Sequence, residues 1–313
     1  VKSHRPPKIR SGRTNPWIIA GIVVFVVFDL LLVWWAFTST RGAQGAAGDV
    51  DGLGEVPTVT WPTESSSPVP TPLTDFEVAA PTAVLAAVSE SVAFRAPAGS
   101  CPAVPASLEV TTDGGATWSP AVVPGASAIQ SVESDDGELV TVVARRADSC
   151  APLVYRCFVQ GVAWQETGEL PSFWYLDGGS VVAPGGGTSA PCEAPVQLAA
   201  RSDAQTAVLC ADAVVYATGD AGATWAGSSP IDGVAAIAAT GSAYLVALEG
   251  HDGCAGVQVA ALGDDLAPGA AGGCLESDAP EGATVLAASA DGASTWVWSG
   301  EVVARSADGG ATW

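Results

Sequence analysis

The chain has 313 residues, with 33 acids against 12 Lys and Arg and a net charge of −21 at pH 7. So acidic a balance excludes nucleic acid as a partner and disfavours docking onto anionic lipid; it suits solubility and cationic partners. Histidine occurs only at His4 and His251 and no Cys-x-x-Cys is present, so the sequence offers no recognisable metal cage and implies no cofactor.

Residues 1–16 form a basic tail carrying Lys2, Arg5, Lys8, Arg10 and Arg13, with no acid. Residues 17–37, Trp17 to Phe37, are mostly apolar and are interrupted only by Asp29. As a helix that run is long enough to cross a bilayer core of about 30 Å. Trp17 at one end and Trp34 and Trp35 at the other suit the two interfaces. The one-sided positive charge places residues 1–16 in the cytoplasm and the remainder outside. A cleaved signal peptide is the rival reading, with small residues Ala43 to Ala47 downstream. The apolar run exceeds the usual core of about 7–15 residues, which favours an uncleaved anchor. Asp29 costs about 2.5–3.5 kcal/mol near mid-membrane, so it calls either for a partner helix or for toleration as a protonated acid.

Residues 38–74 are Gly/Ala-rich and then Pro/Ser/Thr-rich, offering little to bury, and read as a disordered, extended stalk. Asp49-Val-Asp51-Gly52 lacks the further acidic ligands of a calcium loop and reads as ordinary acidic linker. Beyond residue 37 there are seven Arg, no Lys and 32 acids, a net of −25. All seven cysteines lie there too, which in an oxidising compartment predicts disulfides with one thiol left over.

Residues 75–313 show short β-type runs separated by Gly/Asp/Ser turns, the pattern of an all-β domain. Three stretches share the form [S/T]-x-D-x-G-x-T-W: Thr111 to Trp118, Thr218 to Trp225 and Ser306 to Trp313. The Asp accepts backbone amides to close a tight turn, the Gly takes angles a side chain forbids, and the Trp anchors the turn by burial. Residues 199–225 also align without a gap to 287–313, ten of 27 positions being identical at an offset of 88. That offset reads as two propeller blades. In this register Ser289 to Trp296, which looks like a fourth copy, falls in a turn between the first and second strands.

The repeated motif resembles the Asp-box, or BNR repeat, of sialidase-like β-propellers. The resemblance covers Asp113, Gly115, Thr117 and Trp118; Asp220, Gly222, Thr224 and Trp225; and Asp308, Gly310, Thr312 and Trp313. It implies a structural turn between the third and fourth strands of a blade, on the face away from the binding site. Strand 1–2 turns near 89–91, 134–137, 177–179, 202–205, 240–242 and 289–292 predict six blades, with five or seven as alternatives. One blade around 177–202 is degenerate or an insertion, and Phe158 to Ala163 stands where a box has been lost before Trp164. Phe76 to Ala80 is the candidate for the outer strand that closes the last blade; failing that, the chain is a fragment.

Cysteine placement in this frame predicts Cys254–Cys274, Cys192–Cys210 and Cys150–Cys157, with Cys101 the odd one. At least five cysteines then face away from the boxes. A sialidase-like site would need three arginines, a Tyr–Glu pair and an acid/base Asp. Only Phe94-Arg95-Ala-Pro97 resembles a family arginine motif. The remaining candidates for a ligand face are Arg145, Arg156, Trp174 and Tyr175, the aromatics being alternatively blade core. Arg201 and Arg305 are expected on the wrong side. The leading expectation is a membrane-anchored, extracytoplasmic, non-catalytic binding or assembly module for a glycan or envelope protein. The alternative is a sialidase-like glycoside hydrolase with a diverged site. A third branch of Asp-box propellers, the photosystem assembly factors, carries a basic ligand patch that this chain lacks.

Overall fold

The computed structural model describes residues 77–102, 106–134, 136–167, 173–280 and 282–313. These all belong to one compact unit, Pro70–Trp313. The predicted basic tail, the span 17–37 with Asp29, and the stalk to 74 lie outside the described residues. Among the described residues no helix is long and apolar enough to cross a membrane.

Each Asp-box closes on itself. In the first, the Thr111 hydroxyl donates to Asp113 Oδ1 at 2.8 Å and accepts the Gly115 N–H at 2.9 Å. Asp113 Oδ1 accepts the Thr117 N–H at 2.9 Å, and Oδ2 accepts its hydroxyl at 2.6 Å. The same bonds recur around Asp220 and Asp308. The box glycines Gly115, Gly222 and Gly310 have φ of 90°, 85° and 92°, a region closed to most side chains. A Cβ on Gly310 would also sit 2.8 Å from Val259 Cβ.

Six antiparallel sheets follow one another in chain order. Blade 1 holds β1 (Ala83–Ala87), β2 (Ala93–Pro97), β3 (Glu109–Thr111) and β4 (Ser119–Pro120). Blade 2 holds β5 (Ala126–Glu133), β6 (Val140–Arg146), β7 (Pro152–Cys157) and β8 (Trp164–Thr167). Blade 3 has three strands among the described residues, β9 (Tyr175–Asp177), β10 (Ser180–Val182) and β11 (Thr188–Ser189). Blade 4 holds β12 (Pro195–Ala200), β13 (Thr206–Cys210), β14 (Val215–Thr218) and β15 (Ala226–Gly227). Blade 5 holds β16 (Val234–Ala239), β17 (Tyr244–Glu249), β18 (Gly256–Ala261) and β19 (Leu275–Glu276). Blade 6 ends the chain with β20 (Thr284–Ala288), β21 (Thr295–Ser299) and β22 (Val302–Ser306). The inner strands touch in a closed cycle, β1 to β5, β9, β12, β16, β20 and back to β1. The fold is a six-bladed β-propeller. Its core lies between blades, where Ala, Val, Leu and Ile from facing strands interdigitate.

The boxes of blades 1 and 4 sit between third and fourth strands, as their sequence implies, that of blade 6 follows its third strand, and each leans on the blade before it. Trp118 of blade 1 meets Trp296 of blade 6 edge-on, with centroids 6.5 Å apart. Trp225 of blade 4 meets Trp174 of blade 3 in the same way at 6.4 Å. Trp296 Nε1–H donates to Ser89 O, and Trp174 Nε1–H donates to Ser202 O, each in the strand 1–2 turn of the following blade. This equivalence makes β9 the counterpart of β21, a second strand. The Gly178-Gly179 turn, expected on the box face, therefore lies on the opposite face beside Arg145, which reaches Asp177 at 2.6 Å. A Gly-Gly turn looks the same in sequence on either face.

Closure also departs from expectation. Residues 77–80 form no strand, and blade 6 has three. The Val78 N–H instead bonds to Ala211 O of blade 4, and the Thr82 N–H to Gly282 O beside blade 6. Residues 77–82 thus cross from one side of the ring to the other on the face opposite the boxes. Val78, 4 % exposed, is buried against blades 4 and 5.

Disulfides join Cys192–Cys210 and Cys254–Cys274, as expected. Cys150 pairs with Cys101 rather than Cys157, which is a buried free thiol. Cys157 closes the box end of β7, while Cys150 precedes its other end. Seven residue steps of extended chain, at about 3.3 Å each, separate the two. Cys274 precedes β19, a fourth strand, rather than a first strand.

The box carboxylates give the fold an acid limit. Hydrogen bonds from Thr117 and Thr111 hold Asp113 down at about 2, and Asp220 and Asp308 are lowered for the same reason. A depressed carboxylate stabilises the fold above its unfolded value and loses that contribution as pH falls through its folded one. The melting temperature of the full chain is expected to fall between about pH 4 and pH 2. Asp113→Asn lowers it at pH 7 and flattens part of that decline, read by circular dichroism.

Candidate functional site

A cavity of about 400 Å³ forms a funnel at the centre of the ring. Its wall is the last residues of the inner strands and the turns after them, including Val88, Ser134, Arg201, Thr240 and Ala290. Those strand 1–2 turns share a face with the boxes: Gly114 N–H bonds to Ser91 O, and Ala221 N–H to Ala204 O. The funnel therefore opens on the box face, whereas the sequence frame looked to the opposite one. That opposite face is crossed by residues 77–82 and carries all three disulfides.

Most of the residues around the funnel are aliphatic, Val84, Leu198, Ile237 and Leu286 among them, and its surface is about equally polar and apolar. Against this stand a few polar groups with unused capacity. Six buried side-chain polar atoms among the described residues have no hydrogen-bond partner. Three of them, Gln130 Oε1, Ser131 Oγ and Arg201 Nε, belong to funnel residues. Leaving such atoms unpaired costs about 1–3 kcal/mol each, so their concentration in one cavity marks a binding surface.

Arg201 is held in place before any ligand arrives. Its Nη2 donates to Gly241 O of the next blade at 3.1 Å, and its guanidinium lies 5.2 Å from the Tyr244 ring centroid. Burial raises the Tyr244 phenol while Arg201 pulls it the other way, so the ring stays neutral beside the cation. Gln130 is fixed likewise, its Nε2 donating to Leu176 O at 2.5 Å. One buried donor and two acceptor-capable oxygens thereby lie beside the funnel on a rigid frame. Glu133 and Asp203 add carboxylates to the wall.

A second cavity of about 260 Å³ lies on the opposite face, lined by Glu249, Ser277, Asp278 and Ser299. Its polar groups satisfy each other: Thr284 Oγ1 donates to Glu249 at 2.5 Å, and the Ser277 and Ser299 hydroxyls meet at 2.8 Å. It is the weaker candidate. Among the described residues no cluster of three or more His, Cys, Asp and Glu could hold a metal.

The residues singled out by sequence are dispersed. Arg95 is paired with Glu109 at 2.7 Å and lies over Trp118 and Trp298, between blades 6 and 1. Arg145 bridges blades 2 and 3 through Asp177 and Cys150 O. Arg156 lies mid-strand on β7, opposite Thr141 and Gln165. Tyr175 is 8 % exposed and Trp174 1 %, both in blade cores; of these five, only Trp174 borders the funnel. Tyr155 and Glu166 are cross-strand neighbours near Arg146, which lies 3.7 Å from Glu166. Tyr155 is 1 % exposed, and burial pushes its phenol up, away from nucleophilic reactivity. Arg95, Arg145 and Arg201 occupy three different blade interfaces and form no common clamp.

Arg201 is the funnel residue that sequence reasoning discarded. In the 88-residue register it stands where Ser289 stands in blade 6. A single Arg among the small hydroxyl residues that follow other inner strands, Ser134, Thr240 and Ser289, was the available signal.

No family model matches the chain and no curated protein matches it. Among solved structures, it is similar to "YCF48 bound to D1 peptide" at 15 % identity and TM-score 0.30, covering 76 % of this chain and 82 % of that one. The WD40 β-propeller domain of Doa1 is 13 % identical at TM-score 0.38, covering 73 % of this chain and 94 % of that one. YCF48 from Cyanidioschyzon merolae is 13 % identical at TM-score 0.26, covering 72 % of this chain and 65 % of that one. Likeness at these values carries nothing about a ligand.

Proposed function

We propose that the chain is a non-catalytic binding module, held outside a membrane by residues 17–37, whose box-face funnel grips a segment of an envelope protein. The observation that carries this is the set of unpaired, pre-positioned polar atoms of Gln130, Ser131 and Arg201 beside a cavity lined mostly by aliphatic residues. A peptide backbone offers a carbonyl to Arg201 Nε and an N–H to Gln130 or Ser131, and an aliphatic side chain fits the wall between them. A sugar offers hydroxyls, but sugar sites are usually floored by exposed aromatic faces. Phe173 and Trp174, the aromatic residues of the funnel, are 6 % and 1 % exposed. Protein therefore takes precedence over glycan. The three disulfides accord with an oxidising, extracytoplasmic setting.

The test is titration of the full chain against an array of end-capped peptides and a panel of neutral oligosaccharides. Peptides with small aliphatic residues are expected to bind, and Arg201→Ala to weaken them about 10- to 100-fold, as for loss of a charge-assisted bond. Binding of oligosaccharides alone would make the ligand a glycan. Turnover of fluorogenic glycosides would overturn the non-catalytic reading.

A further inference from the structure

The large hydrophobic side chains that stand exposed among the described residues gather at one corner. They are Val122, Leu139, Phe158, Val159 and Val162, between 44 % and 80 % exposed. Phe158, Val159 and Val162 belong to the turn between β7 and β8, the position that an Asp-box fills in blades 1, 4 and 6. Leu139 comes from the neighbouring 134–139 turn, tied to this one by Gln160 N–H to Glu138 O and Gln160 Nε2 to Glu138 Oε1, both 3.2 Å. Val122 follows Ala121, against which Gly161 packs so closely that a Cβ there would lie 2.6 Å away. A box turn half-buries its Trp and engages its carboxylate in hydrogen bonds; this turn half-buries Trp164 but has apolar side chains in place of the carboxylate.

The turn is also rigid. Gly161 N–H donates to Cys157 Sγ at 3.1 Å, Trp164 Nε1–H to Gly161 O at 2.9 Å, and Val162 N–H to Val159 O at 2.8 Å. An ordered apolar surface loses little freedom on binding. The nearest turns are acidic, and the nearest cation in sequence is Arg156, two residues before Phe158 on β7. Segments 121–125, 134–139 and 158–164 contain no Lys or Arg, while Asp136 and Glu138 are acidic and exposed. Hydrogen bonds from the Glu138 and Leu139 amides keep Asp136 lowered and ionised.

We infer that this corner of blade 2 docks an apolar segment flanked by Lys or Arg on a partner protein. The charge selects that occupant. A second copy would bring Asp136 and Glu138 against their like, and anionic lipid would be repelled by the same carboxylates. The site is separate from the funnel, although the 134–139 turn borders both through Ser134.

The experiment uses the full chain and a fluorescent amphipathic helix of Leu and Lys, with a Leu/Glu helix of the same length as control. Phe158→Ser/Val162→Ser removes apolar surface without altering charge, and Glu138→Gln removes charge without altering the apolar surface. The Leu/Lys helix is expected to bind, and the double variant to weaken it about tenfold or more with the melting temperature unchanged. Glu138→Gln weakens it less and reduces its salt dependence. Equal affinity in the double variant would overturn the proposal, since net charge alone would then hold the helix. So would equal binding of the Leu/Glu helix, self-association abolished by the double variant, or binding to phosphatidylcholine vesicles in place of the helix.

Discussion

Trp296→Ala is expected to destabilise the propeller by about 3–5 kcal/mol, the range for deleting a buried large aromatic side chain. Trp296 is 0 % exposed and sits where the last blade meets the first. Among the described residues that junction has no shared strand. It depends on β20 packing against β1, on the Trp296–Trp118 contact, on Trp296 Nε1–H to Ser89 O, and on Arg305 to Glu90 at 2.9 Å. Removing the indole leaves a cavity, unpairs a carbonyl and frees the first box from its support. Gly115 packs directly on that ring; a Cβ there would lie 3.2 Å from it. Whole-domain stability is on the order of 5–15 kcal/mol, so the loss is a large fraction of the total. Trp296→Phe keeps most of the apolar contact but loses the hydrogen bond, and is expected to cost clearly less. Urea denaturation of both variants gives the comparison. A loss below about 1 kcal/mol for the alanine variant would mean that ring closure does not rest on this indole. Trp174→Ala, at the equivalent junction of blades 3 and 4, is expected to behave alike.

The boxes were legible in the sequence because each residue answers to a local backbone demand. The Asp caps amides within its own turn, and the Gly must have positive φ. The Thr or Ser hydroxyl serves both. Blade count was legible for a related reason, since an ungapped offset of 88 residues repeats turns and strands together. What a short stretch cannot reveal is which face a turn occupies. That depends on how many strands precede it, and blade 3, with three strands among the described residues, breaks the count. Gly178-Gly179 was misplaced on that account.

The funnel was obscured by a different cause. Its polar atoms come from β5 and from the turn after β12, and Arg201 is oriented by Gly241 and Tyr244 of another blade. Nothing within a few residues of Arg201 announces that arrangement. The binding face was carried over from the resemblance to sialidase-like propellers, where it lies away from the boxes. Here residues 77–82 cross that face and the open cavity lies on the other. The five aromatic and cationic side chains chosen on chemical character went mostly to blade interfaces, because Arg and Trp serve equally well as cross-blade ties. Arg95 between Glu109, Trp118 and Trp298 is such a tie.

Cys101→Ser/Cys150→Ser is expected to cost about 4 kcal/mol, more than loss of either other disulfide, because its bridge closes the longest loop. Its cysteines are 49 positions apart, against 18 for Cys192–Cys210 and 20 for Cys254–Cys274. On the same chain-entropy scaling those shorter loops contribute about 3 kcal/mol each. The bridge also joins different blades, tying the segment after β2 to the turn after β6. The other contacts across that point include the bridge between Gly99 and Ala128 and the Ala106 N–H to Ala126 O hydrogen bond at 2.9 Å. Cys157 cannot replace Cys101 as a partner, since it lies at the far end of β7 with its sulfur engaged by the Gly161 amide. Alkylation separates the two pairings without any assumption about energy. The native, unreduced chain is expected to resist modification, and denaturation without reduction to expose one thiol, at Cys157. Modification at Cys101 would instead establish the Cys150–Cys157 pair that close spacing suggests, and the stability loss in the double variant would then reflect a local hairpin rather than a tie between blades.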